Sequence, residues 1–245
     1  MGTFEVRMTD APADYDEVNV HIESVEVNRD ESGEDEADGE GWMTISEPNQ
    51  TYNLLELTNG AYTVLGETSL EAGTYHQIRL ILSEAGHSVV VNGEQHDMFV
   101  PSGAQTGVKL NVDAQIEEDI TYTLLLDFDA SRSVVKRGQG AGFQGFLLKP
   151  VIQASNLAVT GNIDGTVSPV EAAPVVYAIA GEDTVASTYA NEEDGYFKLI
   201  GLEEGSYTVS INPTNEDFVK KDTSNIAVSV GETNEIGTVK LEQVQ

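Results

Sequence analysis

Apolar residues recur at every second position along much of this chain. Phe4, Val6 and Met8 alternate with Glu5 and Arg7, and Val18, Val20 and Ile22 alternate with Asn19 and His21. Successive side chains of an extended strand point to opposite faces, so a period of two builds half-buried strands, whereas an amphipathic helix needs a period near 3.6. After Ile22 the apolar set resumes at Val25 and Val27, one position late. One extra residue near Glu23-Ser24 would return those valines to the same face, so a β-bulge is predicted there.

The same reading places further strands at residues 75–82, 88–91, 107–112, 122–128 and 146–152, separated by Gly, Asn, Asp and Pro. Residues 52–57 and 62–65 are the only stretches suited to a short helical turn. From Leu157 the strands become shorter and more regular, as in "PVVYAIA" and "GSYTVSINP", after a brief linker at 154–157. The expected fold is therefore all-β, with two tandem antiparallel β-sandwich domains, immunoglobulin-like or transthyretin-like, over residues 1–154 and 155–245.

Two resemblances accompany this reading. The C-terminal segments "VTGNIDGTV", "DGYFKLIGLEEGSYTV" and "VSVGETNEIGTVKL" resemble carboxypeptidase regulatory-like (transthyretin-like) domains. That resemblance implies a seven-stranded sandwich without catalytic residues. The segments "TDAPADYDEVNVHIESVEV", "LLELTNG", "LEAGTYHQIRLIL", "VPSGAQTGVKL" and "LLLDFDASRSVV" resemble the family known as domain of unknown function 4382, over about residues 3–153. That resemblance implies an exported, often lipid-anchored protein, and carries no activity.

Charge narrows the setting. With 42 Asp plus Glu against 12 Lys plus Arg, the formal net charge is −30, while hydrophobic residues still make up 40% of the chain. A disordered acidic chain would lack those apolar residues. Self-repulsion of this size disfavours a compact state in dilute buffer and is screened in brine, so the expectation is an acidic, halophilic protein. Nucleic acid and anionic membranes should repel it. The chain has no cysteine, which excludes disulfides and thiol catalysis. No apolar run reaches the roughly 18 residues of a membrane span. Any leader or lipid anchor is expected on a precursor rather than within this sequence.

Several motifs fall short of their chemistry. In "NRDESGEDEADGEGW" (residues 28–42), Glu34, Glu36, Asp38 and Gly39 mimic the first half of a calcium loop, but its twelfth position is Ile45, which cannot ligate. A solvated hairpin loop is the preferred reading. "GQGAGFQG" has dinucleotide-type glycine spacing but is followed by β-like "FLLKPVI" rather than a helix. "GAQTGVK" lacks the adjacent Gly-Lys of a phosphate loop. His21, His76, His87 and His96 show no metal spacing, and no catalytic constellation is visible.

Two carboxylate groups remain as candidates. Asp10, Asp14 and Asp16 crowd the turn around Pro12, and Asp127 and Asp129 lie two apart, on one face of a strand. Either group could contribute oxygens to calcium, and these five residues are the candidate metal ligands. The competing readings are an Asx-type turn for the first group, and for the second salt bridges to Arg132 or Lys136 or plain exposure. No cofactor other than calcium is expected. The functional expectation is a non-catalytic, monomeric, extracytoplasmic or cell-surface protein that binds a glycan or surface protein. The alternatives are a calcium-dependent structural or adhesive module and, further off, a hydrolase using the Asp127–Asp129 pair.

Overall fold

The computed structural model describes residues 1–29, 41–101, 107–138 and 145–244. The chain divides into two compact units, one of Met1–Leu57 with Tyr62–Ala154, the other of Thr58–Ala61 with Ser155–Gln245. No helix among the described residues is long and apolar enough to cross a membrane.

The first unit contains strands β1 (Gly2–Ala11), β2 (Glu17–Asn28), β3 (Trp42–Ser46), β4 (Gln50–Asn53), β5 (Thr63–Leu70), β6 (Gly73–Leu82), β7 (Ser88–Val91), β8 (Glu94–Phe99), β9 (Val108–Ile116), β10 (Thr121–Asp129), β11 (Val134–Lys136), β12 (Phe146–Leu148) and β13 (Ile152–Asn156). A four-stranded sheet has the order β13-β10-β1-β5. A nine-stranded sheet runs β11-β12-β8-β7-β2-β6-β9, with β3 and β4 also paired to β2. Phe4, Val6 and Met8 from the first sheet pack against Val18, Val20 and Ile22 from the second, and all six are fully buried. The alternation in sequence is thus the inward face of a sandwich.

The predicted bulge is present. The β2–β6 register shifts between Ile22 and Ser24, and Val25 and Val27 return to the core at 0% exposure. A 3-10 turn forms at Leu54–Leu57, within the first predicted helical stretch. The second, residues 62–65, runs from Thr63 onward into β5, where pairing with β1 supplies its backbone hydrogen bonds. The predicted strand at 146–152 is interrupted at Pro150, which has no N–H to give to a ladder, so β12 and β13 join different sheets.

The second unit holds β14 (Thr160–Ser168), β15 (Val175–Ala180), β16 (Asp183–Tyr189), β17 (Tyr196–Glu203), β18 (Gly205–Asn212), β19 (Lys221–Val228) and β20 (Thr233–Lys240). These seven strands make a three-stranded sheet, β17-β14-β20, and a four-stranded sheet, β16-β15-β18-β19. Ile163, Val167 and Phe197 of the one share a core with Val176, Val209 and Ile211 of the other. The "NEEDGYF" segment, which reads as a hairpin turn, is a corner between sheets: β16 pairs with β15, and β17 pairs with β14. Gly195 is needed at this corner, because its φ is +74° and a Cβ would sit 2.1 Å from the Val167 carbonyl oxygen.

The protein is all-β, as its periodicity indicates. Neither sandwich is purely antiparallel, however. β1 runs parallel to β10, β8 to β12 and β14 to β20, each pair joining strands distant in sequence.

Candidate functional site

Asp10, Asp127 and Asp129 lie at the C-terminal ends of two neighbouring strands. Asp10 continues the inward face of β1 and is 3% exposed. Its Oδ1 accepts a hydrogen bond from the Ala130 N–H at 3.0 Å, whereas Oδ2 has no hydrogen-bond partner. Asp127 is half-buried as a residue, but its Oδ1 is enclosed and also unpartnered. Asp129 closes the strand and caps the single turn α1 (Ala130–Ser133), accepting from Arg132 N–H at 2.9 Å and from the Ser131 hydroxyl at 2.7 Å.

The electrostatics follow from enclosure. Burial pushes the Asp10 carboxyl well above the usual carboxylate range; the Ala130 N–H opposes this, and the charges of Asp127 and Asp129 add to it. Asp127 is pushed up to about 7, by burial first and the Asp129 charge second. Spacing alone favours ion pairing or plain exposure for the Asp127–Asp129 pair. Among the described residues, Asp129 approaches Arg132, with Nε at 3.9 Å.

The five predicted calcium ligands do not form one site. Asp127 pairs with Thr9 while Asp10 pairs with Phe128, so Asp10 and Asp127 leave adjacent parallel strands on opposite faces. Asp16 turns away and accepts from Gly93 N–H at 2.7 Å, and Asp14 is exposed. Among the described residues, no group of three or more His, Asp or Glu side chains is arranged to hold a metal. The histidines serve other contacts. His87 is buried, donates from Nε2 to the Ser83 carbonyl at 2.8 Å and accepts at Nδ1 from His21 N–H at 3.1 Å; burial lowers its pKa. His21 contacts Thr51 and Asn49, and His76 contacts Asp113.

A second place is absent from the sequence-based candidates. Asn28, Arg29, Gly41, Trp42 and Met43 line an open depression where the ends of β2 and β3 pair, Asn28 opposite Trp42. Arg79 lies over the indole with its guanidinium carbon 4.2 Å from the ring centroid, and Lys109 Nζ is 5.8 Å from that centroid. Arg79 also reaches Glu26 Oε2 at 2.6 Å. Arg29 lies over Tyr75 and donates to Glu71 Oε2 and to the Glu71 and Ala72 carbonyls. These partners hold the cations in place around the only Trp of the chain. The one local signal is that Trp, directly after the acidic run, but the Arg79 and Lys109 that frame it come from β6 and β9. Residues 30–40, which carry the calcium-loop mimic, lie outside the described residues, as do 102–106 and 139–144 of the two glycine-containing motifs.

A family model described as a domain of unknown function (DUF4382) matches residues 1–150. No curated protein matches the sequence. Among solved structures, a type II cohesin–X-dockerin complex from Acetivibrio cellulolyticus is 18% identical with a TM-score of 0.27, over 34% of this chain and 58% of that one. The Bacillus anthracis TIE protein is 14% identical with a TM-score of 0.27, over 99% of this chain and 34% of that one. The minor pilin of Streptococcus agalactiae is 10% identical with a TM-score of 0.26, over 99% and 97%. At these TM-scores the likenesses carry no argument.

Proposed function

The chain belongs to the DUF4382 family, and from that premise we propose that it is a non-catalytic, extracytoplasmic β-sandwich protein that recognises a surface polymer through its first unit. The observation that carries this reading is the Trp42 depression. The part of the indole that Arg79 leaves uncovered, beside the Arg29 guanidinium, can pack against a sugar or side chain and hydrogen-bond its polar edge. A glycan or a protein of the surrounding cell surface is the expected partner, and the second unit, a seven-stranded sandwich of the carboxypeptidase regulatory-like type, acts as spacer. A lipid anchor on the precursor would hold the protein at the surface.

Because Trp42 is the only Trp, its emission reports on this depression alone. Titration with glycan fractions or isolated surface protein in molar salt should give a saturable emission shift. Trp42→Ala should abolish retention of the same partner in a pull-down. No emission shift with any glycan class, together with no surface protein retained, would sink the proposal.

A calcium-dependent structural or adhesive module is the second reading. Its support is the enclosed, unpartnered Oδ1 of Asp127, on the same strand face as Asp129. In this reading a cation neutralises the carboxyl corner from Asp127 and Asp129, without Asp14 and Asp16.

A further inference from the structure

The chain contains two Asn-Gly pairs, Asn59-Gly60 and Asn92-Gly93. In both, the Asn and the Gly have positive φ: +57° and +79° for the first pair, +52° and +77° for the second. Sequence and local backbone are therefore matched, and the surroundings differ. Asn59, in the second unit, is held at three atoms. Its N–H donates to Thr188 Oγ1 at 2.8 Å, its Oδ1 accepts from Lys198 N–H at 2.7 Å, and its Nδ2 donates to the Tyr196 carbonyl at 3.2 Å. Gly60 lies against the Lys198 side chain, where an added Cβ would be 3.1 Å from Cδ.

Asn92 and Gly93 form the two-residue turn between β7 and β8, closed by the Val91–Glu94 pair. Gly93 is exposed and Asn92 lies at the surface beside it, with open space around the Gly93 Cα. The Asn92 carboxamide makes no hydrogen bond to any described residue. One restraint acts on the turn: Gly93 N–H donates to Asp16 Oδ2 at 2.7 Å, and Asp16 is itself tied to β7 through its own N–H to the Val90 carbonyl at 2.9 Å.

We propose that Asn92 is a site of spontaneous deamidation whose rate Asp16 sets as a positioning residue, while Asn59 is the protected copy of the same motif. The Gly93 nitrogen attacks the Asn92 side-chain carbonyl carbon, forming a C–N bond. The C–Nδ2 bond breaks, and ammonia leaves with the proton given up by the Gly93 nitrogen. Water then opens the resulting succinimide to an aspartyl or isoaspartyl residue. No oxidant or cofactor is required.

Asp16 opposes the first step in two ways. It engages the N–H that must be lost, and its negative charge disfavours charge build-up on that nitrogen. The product adds a carboxylate beside Asp16 and Glu94. The isoaspartyl form also adds a methylene to the main chain of a two-residue turn, disturbing the register with which β8 pairs to β7.

The folded protein is incubated at mildly alkaline pH in molar salt, digested and mapped by mass spectrometry, and the same is done with the chain held in denaturant. Denatured, the two Asn-Gly pairs should react at similar rates. Folded, Asn92 should react roughly tenfold or more faster than Asn59, since Asn59 must first break several hydrogen bonds. Asp16→Ala should speed the Asn92 reaction several-fold, and Asp16→Asn, which keeps an acceptor oxygen, should fall between Asp16→Ala and the parent. Equal rates at the two pairs in the folded protein, or an Asn92 rate unmoved by Asp16→Ala, would overturn the proposal.

Discussion

Asp127 shows what burial does to one side chain. Its carboxyl rises from 3.8 to about 7 on folding, so the folded state binds its proton more tightly than the unfolded chain does. Its contribution to stability is therefore greatest below about pH 4, declines as pH rises between the two values, and levels off above about pH 7. About three pH units at 1.36 kcal/mol each set a ceiling of about 4 kcal/mol, with partial solvent access reducing it. Asp127→Asn removes the penalty. Urea unfolding from pH 5 to 9 should show the parent losing ground relative to the variant by roughly 1 to 3 kcal/mol; curves that stay parallel would show that Asp127 is ionised without cost. That Asp127 and Asp129 share a face is legible in their spacing. The enclosure of Asp127 is not, because it depends on the parallel partner β1 and on the corner formed by Asp129 and α1, neither of which a local pattern encodes. The surroundings of Trp42 are illegible for the same reason, its cations arriving from strands far along the chain.

At the scale of elements, β2 tests how much of the fold resides in spacing. Its two apolar runs keep one inward face only because the bulge between Ile22 and Ser24 absorbs one residue. Inserting a further residue between the exposed Glu23 and Ser24 should turn Val25 and Val27 to solvent and bring Glu26 to the core, whereas deleting Glu23 should leave both valines inward by plain alternation. Each valine is worth roughly 1.5 to 3 kcal/mol of burial, and an inward glutamate adds a desolvation cost, so the loss is a large part of a typical domain's stability. Circular dichroism should find the insertion variant unfolded or melting far below the parent; an unchanged melting temperature would mean that a wider bulge absorbs the added residue. The bulge is readable because a shift in period is a local signal. The start of β5 reads as helical because Tyr62 and Leu65 are also spaced for a helix face, and pairing with β1 decides the matter. The parallel pairings of β1 with β10 and of β14 with β20 join strands far apart in sequence, which periodicity within one strand cannot specify.

Across the whole molecule, the excess of negative charge is expected to tie the stability of the fold to salt. Several of the few cations are already engaged: Arg7 with Glu5, Arg29 with Glu71 and Arg79 with Glu26. With all twelve Lys and Arg counted, the net charge is still −30, spread over both units, with 27 carboxylates before residue 155 and 15 after. Exposed like charges repel over the Debye length, about 10 Å at 0.1 M salt and 3 Å at 1 M. The melting temperature of chelator-treated protein should therefore climb as potassium chloride is raised from about 0.05 M to above 1 M, with most of the gain at the low end, where the screening length changes most. A binding site behaves differently, because an ion held by the folded state stabilises according to its concentration over its dissociation constant. Millimolar calcium added at molar potassium chloride contributes almost nothing to screening, so any further rise at that point reports a site. Asp127→Asn should erase such a rise if the carboxyl corner is responsible, while leaving the potassium chloride dependence intact. A melting temperature independent of potassium chloride would refute the salt-adapted reading, and a flat calcium response would remove the adhesive-module alternative.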